Sequence, residues 1–179
     1  MATTSRALGS SLIALALAVL AMALLASGCG GPGGADASVD APCDLDAGAP
    51  PWIELGTGAT FTPITDGDTL ELVHGPQGGF HLDAAARFGL AVSPDMQVLR
   101  YDVSRLDGTT IGTMQIALNE RRLTRTCGIW VREGDIVMLG IDAPSEVIDT
   151  DVDVLVRVLD AAGEVTRDQR RIHVVDRVP

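Results

Sequence analysis

The stretch Val152–Asp176, VDVLVRVLDAAGEVTRDQRRIHVVD, decides the fold. Val152, Val154, Val156 and Val158 alternate with charged Asp151, Asp153 and Arg157, so one face is β-branched and apolar and the other is polar. A period of two belongs to a strand buried on one side. Asp160-Ala161-Ala162-Gly163-Glu164 then supplies turn chemistry and the chain returns through a basic segment, which predicts a closing hairpin.

The same period recurs upstream. Leu70 and Leu72 alternate with Thr69 and Glu71, and Phe80, Leu82, Ala84, Ala86 and Phe88 with His81, Asp83 and Arg87. Leu99, Tyr101 and Val103 alternate with Arg100 and Asp102, and Met114, Ile116 and Leu118 with Thr113, Gln115 and Ala117. Turn residues fall between these runs: Thr65-Asp66-Gly67-Asp68, Gly75-Pro76-Gln77-Gly78-Gly79, Ser93-Pro94-Asp95, Asp107-Gly108 and Glu133-Gly134-Asp135. Short strands, glycine-rich turns and no amphipathic helix predict an all-β domain over residues 52–179, built as an antiparallel sandwich without internal repeats.

The closing hairpin resembles the last two strands of immunoglobulin-like extracellular modules, which often pair a valine-rich strand, an Asp-x-x-Gly turn and a basic final strand. The resemblance implies an antiparallel immunoglobulin-like sandwich of about seven to nine strands. The Cys–Trp–Cys core of true immunoglobulin domains is missing, because Cys43 precedes the first strand and Trp130 follows Cys127. The expectation is therefore an immunoglobulin-like sandwich, outside the immunoglobulin superfamily proper.

Residues 1–28 have the form of a secretory signal peptide: Arg6 is the only charge, Leu12 to Ala26 is rich in Ala and Leu, and Gly28 is small. Ala26-Ser27-Gly28-Cys29 resembles the lipobox of bacterial lipoproteins. That resemblance implies removal of the leader, a diacylglyceryl group on Cys29 and usually an N-acyl chain. Two or three acyl chains, at about 0.8 kcal/mol per buried methylene, anchor stably where one does not. Gly30 in place of Asp implies the outer membrane in preference to inner-membrane retention. A retained transmembrane anchor is the competing reading, but the apolar run is short against the roughly 20 residues of a comfortable span. A soluble secreted protein would require a cut that ignores Cys29.

After Cys29, residues 30–51 read GGPGGADASVDAPCDLDAGAPP. Such a segment buries too little surface to offset its ordering entropy, so residues 29–51 are predicted to be a lipidated, disordered linker with a coil span of roughly 25 Å. Asp36, Asp40, Asp44 and Asp46 lack the fixed spacing and closing Glu of calcium loops. With Cys29 lipidated, Cys43 and Cys127 remain, and export to an oxidising compartment predicts a disulfide between them. Closing so long a loop contributes on the order of 4–5 kcal/mol in the chain-entropy model.

The chain carries a formal net charge of −11 and has no lysine. An acidic balance argues against nucleic-acid binding. It argues equally against electrostatic docking on anionic lipid, which leaves attachment to the acyl anchor.

Several groups are candidate sites. His74 and His81 flank the Gly75–Gly79 loop, and with Asp83 they are a candidate transition-metal set. By phase, His74 is expected to face inward with Leu70 and Leu72, and His81 outward. The competing reading is a glycine-rich hairpin with a histidine at each base, or a recognition loop of Gly75, Pro76, Gln77, Gly78 and Gly79 with Gln77 as its hydrogen-bonding side chain. Asp149, Asp151 and Asp153, spaced by two, are a candidate calcium set, weighed against a merely solvated acidic face. Arg121, Arg122 and Arg125, with Arg170 and Arg171, form the only basic feature, expected to pair with nearby carboxylates or, less simply, to contact an anion or polysaccharide. G-x-S-x-G, H-E-x-x-H and C-x-x-C are all absent, as is any lysine for a phosphate loop or Schiff base. No catalytic residue and no cofactor is therefore assigned.

The expected function is a membrane-anchored envelope lipoprotein whose module is non-enzymatic and binds an envelope protein or polysaccharide, or supports the surface. The alternatives are a periplasmic metal-binding protein using the His74–His81 loop, and a hydrolase with a non-standard site.

Overall fold

The computed structural model describes residues 49–176; the leader, Cys29, Cys43 and the linker as far as residue 48 lie outside the described residues. In chain order the strands are β1 (Trp52–Thr57), β2 (Thr62–Pro63), β3 (Thr69–His74), β4 (Phe80–Gly89) and β5 (Val98–Arg105). They continue with β6 (Thr110–Ala117), β7 (Thr124–Thr126), β8 (Ile129–Leu139), β9 (Thr150–Asp160) and β10 (Gly163–Asp176). Single 3-10 turns lie at Glu120–Arg122 and Pro144–Glu146. Among the described residues no helix is long and apolar enough to cross a membrane.

The all-β class follows directly from the alternation. The four valines of β9 are at most 3 % exposed, and Leu99, Tyr101 and Val103 of β5 are fully buried. Each such side chain contributes about 1.5–3 kcal/mol through burial. The β9–β10 hairpin closes at Asp160, whose Oδ1 accepts the N–H groups of Ala162 and Gly163.

The strand arrangement corrects three details of the expectation: the strand count, the all-antiparallel pairing and the two-sheet sandwich, in whose place one mixed sheet closes on itself. There are ten strands, because the two-residue β2 and three-residue β7 add to the count. The sheet is mixed, because β3 pairs with β10 in parallel from Thr69↔His173 to Leu72↔Asp176. Seven strands close a ring in the order β4-β3-β10-β9-β5-β6-β8, with β8 returning to β4. Two seams close it narrowly. β3 meets β4 at Val73↔His81 and His74↔Phe80, and β6 meets β8 only at Gly112↔Leu139. At the second seam a Cβ on Gly112 would lie 2.9 Å from the Met138 carbonyl oxygen, so glycine permits the approach.

Glu133-Gly134-Asp135 is likewise corrected, from a turn to a bulge within β8. Ala84 faces Asp135 while Ala86 faces Arg132, which leaves an extra residue on β8. Gly134 takes it up in the left-handed region (φ 67), as one bulge type requires. The bulge shifts the alternation, so that Trp130 and Asp135 both point inward. It also anchors the β1–β2 turn: Glu133 Oε1 accepts the Phe61 N–H at 2.7 Å, and the Gly134 N–H donates to the Gly58 carbonyl.

Candidate functional site

The register resolves the histidine set into two pairs. His74 Nε2 lies 2.8 Å from Asp176 Oδ1, with its ring edge-on to Phe80 at 5.2 Å. His81 Nε2 lies 3.6 Å from Asp83 Oδ1. Burial reverses the expected facing: the His74 side chain is 47 % exposed and that of His81 13 %. His74 is in phase with Leu72 but sits past the rim of the core, whereas His81 is covered where β3 and β8 flank the start of β4. Among the described residues no three His, Cys, Asp or Glu side chains converge on a metal position. The Gly75–Gly79 loop closes on itself, Gly75 N–H to Gly79 O at 2.8 Å and Gly78 N–H to Gly75 O at 3.0 Å, and leaves Gln77 exposed.

The aspartate set is taken up by its neighbours on β10. Asp151 faces His173 and Asp153 faces Arg171 in the β9–β10 register. His173 Nδ1 lies 2.9 Å from Asp151 Oδ1, and Arg171 Nε donates to Asp153 Oδ1 at 2.9 Å. The alternating acids of β9 thus read against the alternating bases of β10, as cross-strand pairs. Asp149 stands outside this pattern in the left-handed region (φ 57), its N–H donating to the Val174 carbonyl. A cleft of about 510 Å³ lies beside these pairs, lined by Asp66, Gly67, Asp151, Asp153, Gln169 and Arg171 among others. Asp66 Oδ1 accepts the Arg171 N–H at 2.8 Å, so the cleft's polar walls are largely bonded to one another. His74 lies on the order of 17 Å along β3 from Thr69, which faces His173, so loop and aspartates do not share a site.

The arginines divide sharply. Arg87, Arg100, Arg105, Arg132, Arg157, Arg167, Arg170 and Arg171 all lie beside a carboxylate. Among the described residues Arg121, Arg122 and Arg125 have no carboxylate partner. The first two are exposed on the 3-10 turn, and Arg125 lies over the Trp130 ring at 4.8 Å. Pairing with local carboxylates, expected for the whole basic feature, holds for Arg170 and Arg171 and fails for these three.

Beside them lies a feature the sequence reading missed. The β4–β5 connection presents Val92 at 64 % and Met96 at 95 % exposure, and Met96 is held at φ 77. Ser93 Oγ donates to Glu120 Oε1 at 2.6 Å, and the Glu120 N–H donates to Asp95 Oδ1 at 2.9 Å, which pins the loop to the 3-10 turn. The signal available was the pairing of Met96 with turn-forming Ser93-Pro94-Asp95, a place where an apolar side chain finds little to cover it.

A second omission is interior. Tyr101 Oη donates to Asp135 Oδ2 at 3.1 Å, and Arg132 Nε donates to Asp135 Oδ1 at 2.8 Å. Burial, followed by the Asp135 charge, raises the Tyr101 phenol far above its usual range. Asp102 receives Arg100, Thr113 and Arg157. Burial pushes its carboxyl up, but these donors outweigh that and hold it below the ordinary carboxylate value. Both networks tie strands together, the Tyr101–Asp135 bond fully buried and the arginines that reach Asp102 and Asp135 part-exposed.

No family model matches the chain, and a search of curated proteins finds no match.

Proposed function

We propose that the chain is a membrane-anchored lipoprotein of the bacterial envelope, in the outer membrane, whose non-enzymatic β module engages an envelope partner. The observation that carries this is the sequence Ala26-Ser27-Gly28-Cys29, placed between an uncharged apolar run and a Gly/Pro/Asp-rich segment. The module is immunoglobulin-like. β1, β4, β8 and β7 take the places of strands A, B, E and D, and β6, β5, β9 and β10 those of C′, C, F and G. The parallel β3–β10 pair and the narrow seams are then the edges at which the two halves of the closed sheet touch. Cys127 and Gly128 form a two-residue turn between Thr126 and Ile129, both at positive φ (52 and 76), the geometry of a type I′ hairpin. This turn holds Cys127 at the surface, where we propose that it bridges to Cys43.

The test is incorporation of an alkyne-tagged fatty acid in the native host. The wild-type protein is expected to take up the label and Cys29→Ala to lose it completely. Equal labelling of both, or of neither, removes the proposal.

A further inference from the structure

We propose that the pole of the module at which the chain enters docks on the membrane surface, with Val92 and Met96 in the headgroup boundary and Arg121, Arg122 and Arg125 against anionic phospholipid. This rests on the lipid-anchor reading above. Register places all of these at one end. Trp52, where the domain begins, faces Gly89 at the end of β4, and Phe88 faces Trp130. Trp130 faces Arg125 on β7, and the Leu118 N–H donates to the Gln97 carbonyl, which brings the β6–β7 connection beside the β4–β5 loop.

Three physical arguments favour a membrane as the occupant. The first is charge. The net charge of −11 opposes an anionic surface, but the Debye length is about 8 Å in physiological salt, whereas β9 alone runs roughly 33 Å. Carboxylates at the far pole are therefore screened, and the near pole decides. Among the described residues there, Asp95 and Glu120 are bonded within the loop, Asp160 caps its own turn, and Glu164 stands beside Arg157 and Arg167; the linker adds Asp36, Asp40, Asp44 and Asp46 on the approach to this pole. The three arginines alone have no carboxylate partner among the described residues, and each contributes about a fivefold gain near an anionic surface.

The second is shape. Val92 and Met96 are apolar side chains that the loop already holds outward, so inserting them incurs little ordering cost. The third is reach. With a Cys43–Cys127 bridge only residues 30–42 separate the acyl group from this pole. A weak contact then suffices, because the leash keeps the local concentration of membrane high.

The experiment uses the full acylated protein, reconstituted into vesicles of phosphatidylethanolamine with phosphatidylglycerol or of phosphatidylcholine alone. Dilute peroxide converts exposed methionine to its sulfoxide, and peptide mass spectrometry reads Met96 against Met138, which is 51 % exposed near the opposite end of β8. Met96 is expected to oxidise about fivefold more slowly or better on the anionic vesicles, with Met138 unchanged, and Arg121→Glu with Arg122→Glu to restore the faster rate. An unchanged Met138 rate in that variant reports that it has folded. Equal Met96 rates on the two vesicle types overturn docking alone. So does protection in detergent that rises with protein concentration, since a second copy would then cover the loop. Protein that fails to float with either vesicle overturns the anchor reading and docking together.

Discussion

A tyrosine within a strand of buried apolar side chains needs a partner for its hydroxyl. Tyr101 finds Asp135, which Arg132 neutralises, and the three act as a unit across β5 and β8. Tyr101→Phe leaves a buried carboxylate oxygen short of a donor and is expected to cost about 1–3 kcal/mol, read from the urea midpoint. An unchanged midpoint would show that Asp135 is satisfied without the phenol. The pH profile follows from the same residues. Asp102 is held below the ordinary carboxylate value, so its contribution is complete above its unfolded pKa of about 3.9 and is lost as pH falls below that. Tyr101 is raised, so its contribution is complete below about pH 10 and is lost as pH rises beyond it. Urea unfolding across pH is expected to show both declines, and Tyr101→Phe to flatten the alkaline one. These networks were only half legible in the sequence: Asp102 and Tyr101 were visible as strand residues, but which acid meets which base depends on register across strands far apart in the chain.

At the scale of the strand, alternation was a good guide wherever nothing interrupted it. β3, β4, β5, β6 and β9 stand where their periods of two placed them. β8 was hidden because Glu133-Gly134-Asp135 carries turn chemistry, and a bulge uses the same glycine for the same backbone reason. Gly134→Ala is expected to cost about 1–2 kcal/mol from the left-handed backbone alone, since a Cβ there meets nothing within 4 Å. Gly134→Asn, which tolerates that region, is expected to lose clearly less. Equal losses in thermal or urea unfolding would mean that the left-handed geometry is not what the site demands. Histidine facing was misread for a related reason: phase gives a side, but coverage at a strand's end depends on which neighbouring strands reach that far.

At the scale of the molecule, the sequence carried the class and the closing hairpin but could not show strand direction. Alternation is blind to whether a neighbour runs parallel, so the β3–β10 pairing that makes the sheet mixed was out of reach. Spacing likewise suggested two metal sets that the fold distributes into side-chain pairs, His74 with Asp176, His81 with Asp83, Asp151 with His173 and Asp153 with Arg171. Titration with zinc, copper or calcium is therefore expected to leave the melting temperature unchanged. A rise that saturates with metal would show a site formed by rearrangement, since binding to the native state stabilises it by mass action.

The central claim is that Cys29 is acylated and becomes the first residue of the mature protein. Intact-mass measurement of protein extracted from its native membrane tests it most directly. The account predicts a chain that begins at Cys29, heavier by a diacylglyceryl group and usually a further acyl chain, and lighter by the two hydrogens of a Cys43–Cys127 bridge. A mass that retains residues 1–28, or one with an unmodified thiol at Cys29, would contradict it.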